Sequence, residues 1–363
     1  MKKLFGTLKT GETAYLYTIS GGGLTAVISD LGATVVKLFV PDAKGNLADV
    51  VLGFDDPNDY IASGTYFGAA VGRNSNRVGG ARFAMNGKEY ALDTNDNGVN
   101  NLHSGFDPYK NRLWTVCKHT ENSIRLSLSS PNGDQGFPGN AEVHITYTLE
   151  NHGMLRICYD AICDQDTVFN FTNHSYFNLA GHDHPEKAMS QILSIPGRFF
   201  TVADALSIPT GENRDVAGTP MDFRIPKPIG RDIDADYEPL RLQGGYDHNF
   251  EVFTDPGAIL TDPESGRTMA VSTDRPGVQF YSGNFLMGEI GKGGVSYCHR
   301  GGICLETQFY PDSVNHPEWP QPFFKAGQPY HSVTKYIFKK EITKAGGNRL
   351  LFFCPMHRLS CRA

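Results

Sequence analysis

An alternation of apolar and polar residues with a period of two is the feature that most restricts how this chain can fold. In EVHITYTLE (142–150) every second residue, beginning with Val143, is apolar. SIRLSLS (123–129) repeats the pattern, and LRICYDA (155–161) follows after a short turn. Because successive side chains of a strand point to opposite faces, each segment is predicted to be a half-buried strand of an antiparallel sheet.

Turn-forming residues separate the predicted strands. Asn86-Gly87 tolerates positive φ at both turn positions and therefore predicts a hairpin, and Ser265-Gly266 predicts another. The chain contains 40 Gly and 21 Pro, which favours many short strands over long helices. DDPNDYIAS (55–63) is predicted to form a short helical turn after its proline.

The domain organisation is predicted to be simple. No low-complexity linker or change of composition divides the 363 residues. We therefore predict an all-β fold, a single large antiparallel β-sandwich with few short helices, over residues 1–344. Residues 345–363 contain LLFF but no clear period, and they are expected to form a poorly ordered C-terminal tail of unknown role.

Charge and cysteine usage restrict the partners and the compartment. The net charge is −6 with scattered Lys and Arg, whereas a nucleic-acid binder normally has a clustered basic face. Seven dispersed cysteines without a CxxC pair indicate reduced thiols, and no apolar run is long enough for a signal peptide or a membrane span. We expect a cytoplasmic protein without nucleic-acid or membrane partners. The sequence leaves open whether it is a monomer or a homodimer.

Polar and ionisable residues recur in segments that are predicted to be strands or loop entries, which makes these segments candidates for a functional site. They are GRNSNRVGG (72–80) with Arg73, Asn76 and Arg77; NNLHSG (100–105) with His103; FNFTNHSYFNLAG (169–181) with His174; GGYDHNF (244–250) with Asp247; GVQFYSGNF (277–285) with Gln279; and ICLETQFYPDSVNHPEWP (303–320) with Glu306. Taken singly, the charged residues among them are most simply explained as surface residues.

Glu306 and His174 have the chemistry for proton transfer. In an extended strand Glu306 shares a face with Cys304 and Gln308, and partial desolvation would raise its pKa and make it a better base near neutrality. A glutamate in an ion pair at a sheet surface fits the same segment. His174 shares a polar stripe with Tyr176 and is suited to act as a general acid, although a structural histidine fits that segment equally well.

Other chemistries have less support. HDHPE (182–186) groups several potential metal ligands, but the sequence has no HExxH motif and no Cys/His spacing of a zinc site, so no metal is expected. P-loop, GxGxxG and GxSxG motifs are also absent, which disfavours nucleotide binding and an α/β-hydrolase. No cofactor is expected.

Taken together, seven segments in chain order resemble the aldose 1-epimerase (galactose mutarotase) family between about residues 5 and 340. They are YFGAAVGRNSNRV, GKEYAL, NNLHSG, FTNHSYFNLAG, GYDHNF, PGVQFYSGNF and GICLETQFYPDSVNHPEWP. The resemblance implies a galactose mutarotase-like supersandwich with an open sugar cleft. The tail after about Ala345 has no counterpart in that family.

The resemblance also implies roles for individual residues. His174 stands at the position of the general acid, Glu306 at that of the general base, and His103 at that of a second active-site histidine. The residues that match sugar-binding positions are Asn76, Arg77, Asp247 and Gln279. The sequence departs from the family in having Ser75 before Asn76, where alanine is usual, and in one extra residue between Arg77 and His103, in the NDNGVNN loop.

The implied function is interconversion of the α and β anomers of a free aldohexose such as galactose or glucose. Glu306 would take the proton of the C1 hydroxyl while His174 protonates the ring oxygen, and an aromatic residue, Phe280 or Tyr281, would face the apolar side of the sugar. Two alternatives stay open at this point. One is a catalytically silent carbohydrate-binding protein, and the other is a glycoside hydrolase that uses Asp247 and Glu306.

Overall fold

The structure is a computed structural model that describes residues 1–340, so the predicted C-terminal tail, 345–363, lies outside the described residues. Within the described part of the chain, no helix is long and apolar enough to cross a membrane. Strands dominate the fold, as the alternation predicts, and the two α-helices are one and a half turns long.

The first half of the chain contains sixteen strands and one α-helix, α1 (Pro57–Ala62). The strands are β1 (Lys2–Thr7), β2 (Thr13–Gly21), β3 (Leu24–Ser29), β4 (Val35–Pro41), β5 (Leu47–Asp49), β6 (Ala70–Val71), β7 (Arg77–Val78), β8 (Arg82–Met85), β9 (Lys88–Ala91), β10 (Asn101–Leu102), β11 (Thr115–His119), β12 (Ser123–Ser130), β13 (Ala141–Glu150), β14 (Met154–Cys163), β15 (Thr167–Val168) and β16 (Thr172–Asn173).

The second half contains thirteen strands and α2 (Glu238–Gln243). The strands are β17 (Ile192–Ser194), β18 (Phe199–Ala203), β19 (Pro209–Asp215), β20 (Lys227–Pro228), β21 (Asp247–Glu251), β22 (Ala258–Thr261), β23 (Arg267–Thr273), β24 (Gly277–Tyr281), β25 (Glu289–Ile290), β26 (Ser296–Tyr297), β27 (Cys304–Gln308), β28 (Phe323–Phe324) and β29 (Tyr330–Lys340). Short 3₁₀ turns connect several of them.

Three antiparallel sheets form the body of the molecule. The largest has nine strands in the order β11-β12-β13-β14-β29-β23-β22-β17-β20. A five-stranded sheet, β1-β2-β3-β4-β5, and a second one, β19-β18-β21-β24-β27, complete the layers. The predicted all-β class and the large antiparallel β-sandwich with few short helices are confirmed.

One hydrophobic core connects the three sheets. It contains Ile19 from the first five-stranded sheet, Ile145 from the nine-stranded sheet and Phe280 from the second five-stranded sheet. Two buried hydroxyl groups tie the layers together: the Tyr147 hydroxyl donates to the Ala33 carbonyl at 2.6 Å, and the Tyr336 hydroxyl donates to the Leu305 carbonyl at 3.2 Å. The second contact fixes β27, the strand of Glu306, over the centre of the large sheet.

Most of the local predictions agree with the structure. Asn86 and Gly87 have φ of 54° and 75° in the β8–β9 turn, and the turn at Ser265-Gly266 joins β22 to β23. The short helix is α1, whose Asp56 side chain caps its start by accepting from the Asn58 amide.

The segment 169–181 differs from the simple extended strand that its alternation suggests. Regular pairing is limited to β16, and every residue from Thr167 to Leu179 is buried. The segment therefore has no exposed polar face. Its apolar side chains enter the core, and its polar side chains bind neighbouring loops or face the site described below, which is why both sets are covered.

Arg73, one of the polar residues of GRNSNRVGG, has a structural role. Its side chain does not line a cavity with Asn76 and Arg77. Its side chain is 1% exposed. The guanidinium donates to the carbonyl oxygens of Pro138 at 2.7 Å, Gly139 at 3.1 Å and Ser130 at 3.0 Å. These bonds anchor the segment before Asn76 to the loop between β12 and β13.

We expect Arg73→Met to reduce the free energy of unfolding by about 3 kcal/mol or more, because it leaves several buried carbonyl oxygens without a donor. Arg125→Met is the matched control, since Arg125 is exposed on β12, and its effect should stay within about 0.5 kcal/mol. Urea denaturation followed by circular dichroism measures both variants. Equal stabilities for the two would contradict the anchoring role.

Candidate active site

Three neighbouring strands of the second five-stranded sheet supply one wall of a cavity. Gln279 on β24 is paired directly with Glu306 on β27, so their side chains lie on the same face. Asp247 starts β21, on the other side of β24, and the Gln279 amide donates to its Oδ1 at 2.7 Å. The sheet register therefore places three residues that are far apart in sequence side by side.

Two loops supply the facing wall. β7 and β10 pair through Arg77 and Leu102, which brings Asn76 next to His103. The Asn76 amide donates to His103 Nδ1 at 3.2 Å, and the His103 amide donates to the Asn76 carbonyl at 3.1 Å. Both residues have positive φ, 62° and 52°, so the backbone turns sharply at the two positions whose side chains face the cavity.

His174 follows β16 and is packed against two aromatic rings. Its backbone amide donates to the Ala69 carbonyl at 2.9 Å. The Tyr176 ring stacks on the imidazole at a centroid distance of 5.1 Å and 17°, and the Tyr66 ring lies nearly parallel to it at 5.7 Å and 26°. This arrangement fixes the plane of the imidazole and directs its Nε2 toward Glu306.

The cavity has a volume of about 280 Å³. This is at the small end of the range for ligand pockets and is suited to a single small molecule. All seven residues predicted as site residues line it. The lining consists of Gly64, Thr65, Tyr66, Asn76, Arg77, Leu102, His103, His174, Tyr176, Asp247, Gln279, Tyr281, Phe285, Leu286, Glu289 and Glu306.

Glu306 and His174 form a buried acid–base pair. Glu306 Oε1 lies 3.6 Å from His174 Nε2, and the side chains are 3% and 8% exposed. Burial, followed by the charge of Asp247, raises the pKa of Glu306 well above its usual value, although Arg77 opposes the shift. Burial lowers the pKa of His174 to about 4, against an opposing hydrogen bond with its own backbone. The His174 ring by itself is therefore neutral at neutral pH. It carries a positive charge only when the neighbouring Glu306 is ionised.

One oxygen of this pair has no partner in the part of the chain that the structure describes. Glu306 Oε2 is buried and accepts no hydrogen bond from residues 1–340. A buried carboxylate oxygen without a donor costs free energy, so such atoms require an explanation. Because Glu306 lines the cavity, a hydroxyl group of a bound ligand would supply the missing donor.

His103 is a neutral donor. Its Nδ1 accepts from the Asn76 amide, which places the proton of the neutral ring on Nε2. Burial, with the nearby His174 and Arg77, holds the pKa of His103 well below its usual value. His103 Nε2–H can therefore donate to a ligand oxygen but cannot accept a proton from one.

A chain of amide groups orients the binding residues. The Asn76 side chain donates to Gln308 Oε1 at 3.4 Å, and Gln308 Nε2 donates to Gln279 Oε1 at 3.2 Å. Gln279 Nε2 in turn donates to Asp247. Since every amide in this chain has a fixed direction, Asp247 keeps its second oxygen available to accept from a ligand.

Arg77 lies between two carboxylates. Its Nε is 3.1 Å from Asp96 Oδ2, and its NH1 is 3.9 Å from Asp247 Oδ2. Asp96 belongs to the NDNGVNN loop, in which the extra residue was located by sequence. Burial raises the pKa of Asp247, and the charge of Arg77 is the largest influence that opposes this shift. Arg77 thus keeps a buried carboxylate available for ligand hydroxyl groups.

The trio His103, His174 and Glu306 has the composition of a metal site, with one potential ligand atom from each residue within 4.8 Å of the others. The hydrogen bonding does not fit a metal, however. His103 Nε2 carries a proton because Nδ1 is engaged by the Asn76 amide, and a protonated nitrogen cannot bind a metal ion. In HDHPE, His184 contacts Glu186 at 3.5 Å, whereas His182 contacts the Tyr297 hydroxyl at 3.2 Å. The two histidines of that segment therefore do not point to a common position where a metal ion could bind.

Several residues around the site were not predicted as site residues, and Phe280, one of the two aromatic candidates, lies elsewhere. Tyr66, Asp96, Gln308 and Cys304 contact the predicted residues. For Gln308 and Cys304 a signal was present, because both share the face of Glu306 on β27. Tyr281 lines the cavity, but Phe280 points into the core and stacks on Tyr246 at 4.9 Å.

Comparisons with known proteins agree with this geometry. Residues 15–337 match the family model described as aldose 1-epimerase. The chain is 39% identical to galactose mutarotase of Bos taurus, covering 93% of this chain and 98% of that protein, and 34% identical to aldose 1-epimerase of Escherichia coli K12, covering 91% and 97%. An aldose epimerase homologue from C. elegans superposes with a TM-score of 0.83 at 29% identity, covering 90% of this chain and 99% of that one.

The hydrogen bond from the Asn76 amide predicts the tautomer of His103. We expect ¹⁵N NMR of histidine-labelled protein to show His103 with a protonated Nε2 and a bare Nδ1, and no titration between about pH 5.5 and 8. Loss of one set of signals in His103→Asn identifies the resonance. A titration near pH 6.5, or a protonated Nδ1, would contradict the assignment.

Proposed function

The chain belongs to the aldose 1-epimerase family and is an isomerase of that cofactor-independent type, and we propose that Glu306 and His174 are its acid–base pair. The observation that carries this assignment is the unpartnered Oε2 of Glu306, in a small cavity and on a carboxylate that faces the His174 imidazole. Gln279 and Asp247 already satisfy each other at 2.7 Å, whereas Glu306 Oε2 has no donor among the described residues.

Two proton transfers accompany the opening of the sugar ring. Glu306 accepts the proton of the C1 hydroxyl, the bond between C1 and the ring oxygen breaks, and His174 Nε2–H gives its proton to the ring oxygen. The open aldehyde turns about C1–C2, and the reverse transfers close the ring on the other face. Each well-placed proton transfer accelerates the reaction by about 10²–10⁴-fold, so one acid and one base are sufficient.

The opposed pKa shifts fit a reaction that runs in both directions. Glu306 and His174 together hold one exchangeable proton. It is on His174 before the ring opens and on Glu306 while the sugar is open. Burial raises the pKa of Glu306 and lowers that of His174, so it favours the neutral pair that exists while the sugar is open. Their 3.6 Å separation favours the ion pair that starts ring opening. Opposing effects of this kind keep the two states close in free energy.

The remaining lining residues hold the sugar. Asp247 accepts from hydroxyl groups, Arg77 donates to them, and His103 Nε2–H donates to the oxygen at C1 or to the ring oxygen. Asn76 and Gln279 donate from the amide chain that orients them. Tyr281, which lines the cavity, would face the apolar side of the sugar ring.

We further propose that the substrate is a free aldohexose such as galactose or glucose. The relatives named galactose mutarotase support galactose, and the cavity volume suits one sugar ring. A cytoplasmic location is consistent with the buried thiols of Cys163 and Cys304. The protein is proposed to act as a monomer or a homodimer, which sedimentation equilibrium measures directly.

Substitution of either member of the pair should remove catalysis without removing binding. We expect Glu306→Gln and His174→Asn each to lower kcat by at least about 10²-fold, with sugar affinity changed by less than about fivefold. Polarimetry of freshly dissolved α-galactose and α-glucose gives the rate, and calorimetry gives the affinity. His331→Asn is the matched control, because His331 is exposed on β29.

Unchanged rotation rates with retained binding would refute the assigned pair and favour a silent sugar-binding protein. Release of nitrophenol from aryl glycosides by the wild-type protein, lost in Glu306→Gln, would instead support the glycoside hydrolase that uses Asp247 and Glu306.

Asp96 should affect binding more than chemistry, because it contacts Arg77 and not the acid–base pair. We expect Asp96→Asn to raise KM for galactose about fivefold with kcat within about twofold, since the guanidinium loses the charge that fixes its Nε. Asp107→Asn is the control, because Asp107 pairs with Arg112 and its side chain is 71% exposed. Polarimetric kinetics over a range of galactose concentrations measure both constants. A fall in kcat with KM unchanged would contradict a positioning role for Asp96.

A further inference from the structure

A buried lysine contacts the aromatic ring that packs against both histidines of the cavity. Lys110 belongs to the short 3₁₀ turn Tyr109–Asn111, between β10 and β11, and is 7% exposed. Its Nζ lies 5.3 Å from the centroid of the Tyr66 ring. The centroid of the same ring is 4.6 Å from that of the His103 imidazole and 5.7 Å from that of His174. Tyr66 therefore connects a buried cation with the two imidazoles.

The ammonium group also binds the backbone that leads into this ring. Lys110 Nζ donates to the carbonyl oxygens of Tyr60 at 2.8 Å and Ser63 at 3.1 Å. These carbonyls belong to the last turn and the C-cap of α1, where backbone acceptors have no partner inside the helix and a cation is favourable. The Ser63 hydroxyl in turn accepts from the Thr65 amide at 3.0 Å. Lys110 thus holds the turn 63–66, the last three residues of which line the cavity.

This cation has no carboxylate partner among the described residues. Burial lowers the pKa of Lys110 to about 8, and no charged group offsets that shift. A buried ammonium group normally pairs with an acid, as in Lys292, whose Nζ lies 2.6 Å from Asp49 Oδ2. Lys110 instead bonds two carbonyl oxygens and faces an aromatic ring, whose quadrupole attracts a cation. Its contacts are therefore directed at the turn and at Tyr66.

The backbone at Lys110 is anchored in the core. The neighbouring Tyr109 is 1% exposed, and its ring packs edge-on against Trp114 at a centroid distance of 5.9 Å. The Trp114 indole nitrogen donates to the Tyr109 carbonyl at 3.3 Å. The segment that contains Lys110 is therefore held independently of the turn 63–66, and it can act as a fixed support for that turn.

Packing by Tyr66 restricts the two imidazoles. Its ring lies nearly parallel to that of His174, at 26°, and is tilted by 46° to that of His103. In the proposed reaction His174 Nε2 must face Glu306 and the ring oxygen, and His103 Nε2 must face an oxygen of the sugar. A rotation of either imidazole would lengthen hydrogen bonds whose geometry decides the rate of proton transfer. A displaced Tyr66 ring would permit such rotations.

We propose that Lys110 is a positioning residue: its ammonium group holds the turn 63–66 and the Tyr66 ring, and this ring keeps His103 and His174 in the orientation that proton transfer needs. Lys110 is not among the residues that line the cavity, and it exchanges no proton in this role. This inference rests on the proposed acid–base pair.

The test compares Lys110→Met with the matched control Lys227→Met. Lys227 is also buried, donates to the Pro220 carbonyl and lies 4.2 Å from the centroid of the Phe223 ring, but none of these residues lines the cavity. We expect Lys110→Met to lower kcat roughly tenfold with KM within about threefold, because the imidazoles lose their packing partner, and Lys227→Met to keep kcat within about twofold of the wild-type value. Polarimetry of α-galactose measures both variants, at a temperature at which circular dichroism shows both folded.

A double-mutant cycle tests whether Lys110 acts through Tyr66. We expect Lys110→Met to add no more than about a twofold loss of kcat to Tyr66→Leu, because the ring that it positions is already absent. The ring-proton NMR signals of both histidines should move in Lys110→Met toward their positions in Tyr66→Leu and stay unchanged in Lys227→Met. Loss of signals in His103→Asn and in His174→Asn identifies them.

If Lys110→Met does not fold, Lys110→Gln and Lys227→Gln replace the two variants in every comparison. A glutamine amide can still donate to one carbonyl oxygen, so the expected loss of kcat in Lys110→Gln is about threefold.

A kcat for Lys110→Met equal to that of Lys227→Met, losses that multiply in the double variant, or unchanged histidine signals would overturn the proposal. His174→Asn is measured in parallel to separate the two claims. If it is inactive while Lys110→Met is unaffected, the role of Lys110 falls and the acid–base pair stands. If His174→Asn is active, the pair falls, and the role of Lys110 in catalysis falls with it.

Discussion

The proposed reaction depends on one constraint: the carboxyl group of Glu306 and the imidazole of His174, which we propose share one proton, lie in a cavity that gives neither of them enough water. Desolvation disfavours the charged form of each group, and attraction across 3.6 Å favours both charges together. The two effects oppose each other, so the proton can lie on either side at similar free energy. The proposed reaction protonates and deprotonates the same sugar oxygens in both directions, and such a balance would let Glu306 and His174 supply and remove both protons.

Strand β27 shows how the period of two builds this site. Cys304, Glu306 and Gln308 point to one face. There Cys304 contacts Nδ1 of His174 and Glu306 contacts its Nε2. Gln308 belongs to the chain of amide groups that orients Asp247. Leu305 and Thr307 point to the other face, where the Leu305 carbonyl accepts from Tyr336 and the Thr307 hydroxyl meets that of Thr334 at 2.5 Å. One face of the strand is thus held by the core, and the other carries the residue proposed as the base and its contacts. A shift of one residue in register would exchange the two faces.

The sequence predicted what depends on local pattern and missed what depends on approach between distant segments. Hairpins at Asn86-Gly87 and Ser265-Gly266, the short helix α1 and the all-β class follow from periodicity and turn chemistry. The resemblance to a family supplied the seven lining residues. The period of two did not predict the structure of 169–181, because this segment is covered on both sides and has no solvent-exposed face. Tyr66 and Asp96 left no local signal, since their importance comes only from contact with His174 and Arg77. The lowered pKa of His174 could not be predicted either, because the burial that causes it cannot be read from one segment.

The charges around the cavity also bear on the kind of sugar that the proposed site would accept. The carboxyl groups that line the cavity are those of Asp247, Glu289 and Glu306, and the guanidinium of Arg77 already pairs through its Nε with Asp96. A phosphorylated sugar would bring about two negative charges into a site whose one cation is committed, and burial would leave the repulsion poorly screened. A neutral sugar meets no such cost, because its hydroxyl groups donate to the carboxylates and accept from Arg77 and His103. We therefore infer that the arrangement that keeps Asp247 able to accept favours uncharged sugars over phosphorylated ones.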